Sequence, residues 1–126
     1  MSEKKIISTD RAPAAIGAYS QAVVAGDTVY VSGQIPFTPE GELVSEDVAE
    51  QTEQSLENLR AILAEAGADL SDVVKVTVFA ADMDNFSRIN DIYADYFQEE
   101  PPARAFVEVS RLPRDVEVEI EAVAVL

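Results

Sequence analysis

The sequence predicts an α+β domain in which two helices cover one face of a mixed β-sheet. Two segments, 47–66 and 84–97, carry apolar residues at helical spacing. Six short segments are apolar or β-branched and are separated by turn residues, which is typical of strands. The predicted order is β-β-β-α-β-α-β-β. With 126 residues, the chain has the length of one domain, and we expect residues 1–126 to form a single unit.

The N-terminal third contains three predicted strands, and the second and third of them are predicted to form a hairpin. The three segments are 4–8, 20–25 and 28–34. Gly26 and Asp27 lie between the last two, and both residues suit the geometry of a tight turn. Residues 9–18 contain a proline and a glycine, so they are predicted to be a loop.

The first helix is predicted over residues 47–66. Asp47 can cap its N-terminus, and Glu50 three residues later completes a capping-box pattern. Gly67 is the expected stop. The predicted buried stripe has a helical period and consists of Val48, Thr52, Leu56, Leu59, Ile62 and Leu63.

The rest of the chain supplies a central strand, the second helix and two final strands. Residues 73–81 are nearly continuously apolar, which indicates a strand in the middle of the sheet. Asp84 is the predicted cap of the second helix. The buried side of that helix is predicted to be Phe86, Ile89, Tyr93, Tyr96 and Phe97. Two strands are predicted on either side of a tight turn at 112–115.

The central strand has apolar residues on both of its predicted faces. Val74, Val76 and Val78 alternate with Val73, Phe79 and Ala81. Two helices can cover one face of a sheet, and the chain offers no third helix for the other. We therefore expect a second copy of the chain to cover it, so that the protein is an oligomer.

The chain is strongly acidic. It has 24 acidic and 9 basic residues, for a formal net charge of −15. Such a charge repels phosphate backbones, so a nucleic-acid partner is not expected. No apolar run approaches the roughly 20 residues of a membrane helix, and the first five residues do not begin a signal peptide. We therefore expect a cytoplasmic protein without a membrane partner.

An excess of acids with only three lysines is typical of proteins adapted to high salt, although an ordinary acidic protein is the alternative. At about 1 M salt the Debye length is roughly 3 Å, so repulsion among surface carboxylates is largely screened. We expect the melting temperature to be higher in molar salt than in dilute buffer. A melting temperature that does not rise with salt would rule out the halophilic reading.

The sequence contains neither histidine nor cysteine. This composition excludes Ser-His-Asp triads, Cys-His pairs, ordinary zinc sites and RNA cleavage by histidine acid–base chemistry. It also lacks a GxGxxG motif and a P-loop, so no cofactor and no metal are expected. Any chemistry must come from arginine, carboxylate, hydroxyl and backbone groups.

Two kinds of residue near the C-terminus could supply that chemistry. Arg104 lies among apolar neighbours, where its guanidinium could bind a carboxylate through two parallel hydrogen bonds. A structural ion pair, for example with Glu108, is the alternative. The alternating Glu117, Glu119 and Glu121 share one strand face, and in an acidic chain they could simply be solvated.

Three short motifs stand out in the sequence. The first runs from Pro102-Ala103-Arg104 through alternating valine and glutamate to an Ile-Glu-Ala ending at 120–122. The second is Ser32-Gly33-Gln34-Ile35-Pro36, and the third is Gly17-Ala18-Tyr19. With these motifs the chain resembles the RidA/YjgF family over about residues 7–126, although the family has Gly-Pro-Tyr where this chain has alanine in place of proline. The resemblance implies a chorismate-mutase-like fold. It also implies a homotrimer whose sheets surround a central barrel, with sites in clefts between subunits.

The resemblance further implies an enamine/imine deaminase that converts 2-iminopropanoate or 2-iminobutanoate to a 2-oxo acid and ammonia. It assigns catalytic roles to Arg104 as the carboxylate clamp, Glu119 as the water-positioning acid and Tyr19 at the pocket mouth. The implied substrate contacts are Ser32, Gly33, Asn90 and Phe106. Phe106 departs from the small residue that many relatives have, so the side-chain preference of the pocket remains open.

A tight turn at 112–115 predicts that position i pairs with 227 − i, which places Arg104 opposite Val123 rather than Glu119. The offset of four residues is about 13 Å along a strand. We therefore expect a pocket that joins Arg104 and Glu119 to draw on two subunits.

Two other function classes remain open on the sequence alone. One is a non-catalytic oligomer that binds small carboxylates or acts like a chaperone. The other is an endoribonuclease, which the net charge and the lack of histidine disfavour.

Overall fold

Six strands form one mixed sheet in the computed structural model, which describes residues 3–126; Met1 and Ser2 of the predicted domain lie outside the described residues. The strands are β1 (Lys4–Ile7), β2 (Ala22–Ala25), β3 (Thr28–Gln34), β4 (Val73–Ala80), β5 (Ala103–Glu108) and β6 (Val118–Val125). The helices are α1 (Val48–Glu65) and α2 (Phe86–Tyr96). This confirms the predicted α+β class and the order of the elements.

The strand order across the sheet is β1-β2-β3-β6-β4-β5. All neighbours are antiparallel except β4 and β5, which run parallel. The β2–β3 hairpin forms as predicted, with Ala25 paired to Thr28 across the Gly26-Asp27 turn. Strand β2 begins at Ala22, two residues later than predicted.

The predicted pairing of the last two strands is wrong. Strands β5 and β6 are not neighbours, because β4 lies between them and pairs with both. Arg104 pairs with Val76 of β4, which in turn pairs with Ala122 of β6. The 112–115 segment is a short 3-10 turn at 113–115 that carries the chain past β4. Strand β4 is buried more completely with β5 on one edge and β6 on the other. The turn residues at 112–115 give no information about this long-range pairing.

Helix α1 begins and packs as its sequence predicts. The backbone N–H of Glu50 donates to Oδ2 of the capping Asp47 at 3.0 Å. The Glu50 carboxylate does not return to the backbone of Asp47 but accepts from the hydroxyl of Ser45 at 2.8 Å, so the capping box is half formed. The predicted stripe is fully buried, from Val48 through Leu63.

The predicted cap of α2 is wrong. The N-cap residue of α2 is Asn85, not Asp84, and its side chain makes no capping hydrogen bond. Asp82 caps the preceding 3-10 turn at Met83–Asn85, where it accepts from the backbone N–H of Asp84, and this turn leads into the helix. Ile89 and Tyr93 are buried as expected, and Phe97 is buried just past the helix end. The predicted burial of Phe86 is wrong: this residue is 37% exposed, which leaves its ring available to the candidate site. Tyr96 is only partly buried against the core.

Both helices lie against one face of the sheet. The main core combines residues of α1 and α2 with alternate residues of the strands, among them Val76, Val78 and Ile120. A bulge at Val74 shifts the alternation of β4, so Val73 joins this core and Val74 points out. The predicted faces of Val73 and Val74 are therefore wrong, since Val73, not Val74, shares the buried face with Val76 and Val78. The opposite face of the sheet carries exposed Tyr30 and Val107 and half-buried Phe79.

Among residues 3–126, no helix combines the length and the apolar character that crossing a membrane requires.

Candidate functional site

Arg104 lies on the helix side of the sheet, inside a cradle of aromatic rings. Its guanidinium carbon is 4.7 Å from the ring centre of Tyr93, 5.8 Å from that of Phe86 and 5.7 Å from that of Phe106. Cation–π contacts of this kind hold a guanidinium without neutralising it. The cradle therefore fixes the head group and leaves its charge available.

Asn90 completes this cluster from one turn of α2. Its Oδ1 accepts a 2.8 Å hydrogen bond from Nη1 of Arg104. No carboxylate lies within 4.0 Å of Arg104 in the described chain, so the alternative of an ion pair with Glu108 is not realised. Glu108 instead accepts from the backbone N–H of Met83. The remaining guanidinium N–H groups are free to bind an anion within this subunit.

Phe106 forms the apolar wall of the cluster. Its ring centre lies 4.6 Å from that of Phe86, with the planes inclined by 56°. Such a tilted pair is a favoured aromatic geometry. Because Phe106 is only partly buried, it presents apolar surface beside the Arg104 guanidinium.

Glu119 and Gly33 form a second cluster on the opposite face of the sheet. A Cβ added at Gly33 would lie 2.6 Å from Oε2 of Glu119 and 3.1 Å from its Cγ. A side chain at position 33 would therefore displace the Glu119 carboxylate from this position. Glu119 is half-buried, and burial, with a smaller contribution from the negative charge of Glu121, raises the pKa of its carboxyl above the usual value of 4.5.

Tyr19 stands on the N-terminal loop, and its ring is exposed. The backbone N–H of Ile16 donates to its hydroxyl at 3.4 Å. The Ser32 hydroxyl donates to the carbonyl of Ser20, so its proton holds this loop instead of pointing to a ligand. Ser32 therefore has a demonstrable structural contact, and its predicted substrate contact remains a prediction.

A buried amide anchors the same loop, although Ala18 replaces the proline of the family motif. Gln21 accepts from the backbone N–H of Thr9 at 2.7 Å and donates to the carbonyls of Thr9 at 3.1 Å and Pro13 at 2.8 Å. These bonds satisfy all the strong groups of a buried side chain. The root of the Tyr19 loop is thereby fixed to β2.

Tyr19 and Gly33 both line a cavity of about 450 Å³ between the N-terminal loop, the segment after β3 and the 113–114 turn. This volume lies within the range of small-molecule sites. Asn58 of α1 holds two residues that line the cavity, since its side chain donates to the carbonyls of Ile35 at 3.2 Å and Phe37 at 2.9 Å.

The predicted site residues therefore form two clusters that one chain does not bring together. Arg104 shares the face of its neighbours Val76 and Ala122, whereas Glu119 alternates with buried Ile120 and points the other way. Glu119 of β6 pairs with Phe79 of β4, which pairs with Val107 of β5. Val107 is three residues after Arg104, so the two side chains are also offset by about 10 Å along the strand direction. The backbone of the sheet separates the two side chains.

The cradle residues Phe86 and Tyr93 were predicted only as core. The sequence does carry a signal for them: Phe86, Asn90 and Tyr93 follow at positions i, i+4 and i+7 of one helix, so they share a face. Asn90 lies between two aromatic residues on this face, which indicates that the face contacts a polar group; in the structure that group is the Arg104 guanidinium. Burial raises the pKa of Tyr93, while the charge of Arg104 opposes that increase.

Within residues 3–126, no group of three or more acidic, histidine or cysteine side chains is arranged to hold a metal ion.

The raised pKa of Glu119 predicts a stability effect with a definite sign. A carboxyl whose folded pKa lies above its unfolded value stabilises the fold at acidic pH, and this contribution is lost as pH rises through the folded pKa. We expect Glu119→Gln to raise the melting temperature at pH 7 and to change it little near pH 4. Glu121→Gln, at the exposed neighbour, is the matched control and should have a smaller effect. A lower melting temperature of Glu119→Gln at pH 7 would contradict the argument.

Comparisons with known proteins agree on one family. The Endoribonuclease L-PSP family model matches residues 9–126. A RutC family protein of Pyrococcus abyssi is 54% identical over 122 residues, which cover 96% of each protein. A 2-iminobutanoate/2-iminopropanoate deaminase of Rattus norvegicus is 54% identical over 123 residues, covering 97% of this chain and 90% of the rat protein.

A solved structure shows the same fold. The YjgF gene product of E. coli superposes with a TM-score of 0.91 at 49% identity, covering 96% of this chain and 98% of that one. Sequence motifs, family model and fold therefore coincide over nearly the whole chain, which belongs to the RidA/YjgF family of the Endoribonuclease L-PSP model.

Proposed function

We propose that this protein hydrolyses 2-imino acids such as 2-iminopropanoate and 2-iminobutanoate to 2-oxo acids and ammonia. The observation that carries the proposal is the state of Arg104, which is held by three rings and an amide and has no carboxylate partner among residues 3–126 of its own chain. A guanidinium prepared in this way suits the planar carboxylate that every 2-imino acid carries. The related rat protein, named as a deaminase of these imines, supports the same substrate class.

The chemistry needs few groups from the protein. The carbon of a protonated imine is already electrophilic, so water can attack it without a covalent nucleophile, a metal or a cofactor. Glu119 accepts the proton of the attacking water, and the carbon–nitrogen double bond becomes a carbinolamine. Glu119 then returns that proton to the carbinolamine nitrogen, and the carbon–nitrogen bond breaks to release ammonia. The hydroxyl gives its proton to solvent and becomes the ketone, which offsets the proton that the imine first took up. The overall balance is imine plus water to 2-oxo acid plus ammonia.

The raised pKa of Glu119 suits this role. A general base accepts a proton more readily when its pKa lies closer to the working pH, and half-burial moves the carboxyl in that direction. We expect activity to fall as pH decreases through this pKa, because the carboxyl then already carries a proton.

The site needs a second subunit if Arg104 and Glu119 are to act on one molecule, since one sheet separates them. We propose a homotrimer in which the open sheet faces surround a central barrel and each cleft joins Arg104, Asn90 and Phe106 of one subunit with Tyr19, Gly33 and Glu119 of the next. Partly exposed apolar residues on the open face, including Tyr30 and Val107, support burial by another copy.

A coupled assay tests the function. Threonine dehydratase releases the enamine precursor of 2-iminobutanoate, and the rate of 2-oxobutanoate formation is measured with and without this protein. Acceleration above the dehydratase alone supports the proposal. No acceleration, with the oligomer intact, would overturn it in favour of a non-catalytic carboxylate-binding oligomer.

A further inference from the structure

A second arginine, Arg114, shares the unusual state of Arg104. Of the six arginines, four have a carboxylate within 4.0 Å in the part of the chain that the structure describes. These four are Arg11, Arg60, Arg88 and Arg111. Arg104 and Arg114 are the two without one, in a protein of net charge −15. In so acidic a chain, an arginine without a carboxylate is available for an anion from outside.

The position of Arg114 is set by its turn. Arg114 and Asp115 adopt the left-handed backbone conformation, with φ of 59° and 58°. Non-glycine residues adopt this region rarely and at a cost. Asp115, the adjacent acid, is paired with Arg111 and not with Arg114. The guanidinium of Arg114 instead lies 4.9 Å from the ring centre of buried Phe37.

This geometry places Arg114 on the wall of the 450 Å³ cavity that Tyr19 and Gly33 also line. The other lining residues are mostly apolar, with one carboxylate, Glu40, more than 4.0 Å from the Arg114 guanidinium. The cavity thus combines apolar walls with a cation. Because Gly33 abuts Glu119, Arg114 belongs to the half-site that carries the proposed base and not to the Arg104 cluster.

We infer that Arg114 is a specificity-determining residue that binds the second carboxylate of dicarboxylic substrates. This inference rests on the proposed function, in which Arg104 of one subunit holds the carboxylate next to the imine. The Arg114 guanidinium of the next subunit then holds the distal carboxylate, and the apolar walls accept the methylene groups between them. The substrate class is that of 2-imino dicarboxylic acids, alongside the simpler 2-imino monocarboxylic acids.

The variant Arg114→Asn tests the inference, since asparagine tolerates the left-handed conformation and removes the charge. Binding of 2-oxoglutarate and of 2-oxobutanoate to the assembled protein is measured by calorimetry. We expect Arg114→Asn to weaken 2-oxoglutarate at least about tenfold, as expected for the loss of a hydrogen bond to a charged group, and to leave 2-oxobutanoate unchanged. Turnover of the corresponding imines should show the same selective loss in kcat/KM.

Arg60→Gln is the matched control. Arg60 also lies over an aromatic ring, 5.1 Å from the centre of Tyr96, but it does not line the cavity. The Arg60→Gln variant should leave the affinity for 2-oxoglutarate and for 2-oxobutanoate unchanged. Glu40→Gln should increase the affinity for 2-oxoglutarate, because it removes a negative charge that repels the ligand.

The inference fails if Arg114→Asn leaves 2-oxoglutarate binding unchanged, or if it weakens both ligands equally, which would indicate a structural role. Binding does not require turnover. A protein that hydrolyses no imine but loses 2-oxoglutarate selectively in Arg114→Asn would sink the proposed function while supporting the role of Arg114.

Discussion

Replacing Arg104 with alanine is expected to lower kcat/KM for 2-iminobutanoate by at least about 100-fold, through loss of the charged clamp and of substrate orientation. The structure explains why the effect should be large: the guanidinium is held by Asn90 and three rings, so its geometry is prepared before substrate arrives. The coupled dehydratase assay measures the loss.

Two companion variants separate charge, geometry and folding. Arg104→Lys keeps the charge but lacks the planar fork, so we expect it to recover only a small part of the activity. Arg88→Ala removes an exposed arginine of α2, the helix that also carries Asn90. Arg88 pairs with Asp47 outside the cradle, so this variant should retain activity. Wild-type kcat/KM in Arg104→Ala would show that the clamp is not needed for catalysis.

Mixing two inactive variants is expected to restore activity. If each site takes Arg104 from one subunit and Glu119 from the next, Arg104→Ala and Glu119→Gln leave no complete site in either pure oligomer. In oligomers formed at random from equal amounts of the two, about a quarter of the sites should contain both wild-type groups. The expected recovery is therefore about a quarter of wild-type activity.

The experiment requires joint refolding or coexpression so that subunits mix. Mixing each variant with an equal amount of inactive double variant is the control, since no site in those oligomers is complete. If Arg104 and Glu119 served one site from the same chain, the mixture would stay inactive. We expect restored activity because Arg104 and Glu119 lie on opposite faces of the sheet within one chain.

Local patterns in the sequence predict much of the fold, and long-range pairing accounts for what they miss. Helix α1 carries its cap, its buried stripe and its stop within about twenty residues, so its bounds follow from the sequence. Hairpin β2–β3 is equally local. The insertion of β4 between β5 and β6 is not a local feature. It depends on which strands pair with the two edges of β4, and those strands are distant in sequence.

The candidate site shows the same division. The family motifs indicate Arg104, Glu119, Tyr19 and Gly33, and the structure shows local reasons for some of them, such as the contact between Gly33 and Glu119. The aromatic cradle joins α2 to β5, and the Arg114 cavity joins three loops. Neither grouping can be read from spacing alone, since each depends on how distant segments pack.

The anchoring of the Tyr19 loop by Gln21 has a consequence for how this protein can change over evolutionary time. The side chain of Gln21 makes its hydrogen bonds with backbone groups of Thr9 and Pro13, so any residue except proline at position 9 can supply the N–H and the carbonyl that it needs. Exposed positions of the loop, such as Ile16, can then be exchanged without moving the attachment of Tyr19 to the sheet. The surface of the loop can therefore change by substitution while the fold stays intact.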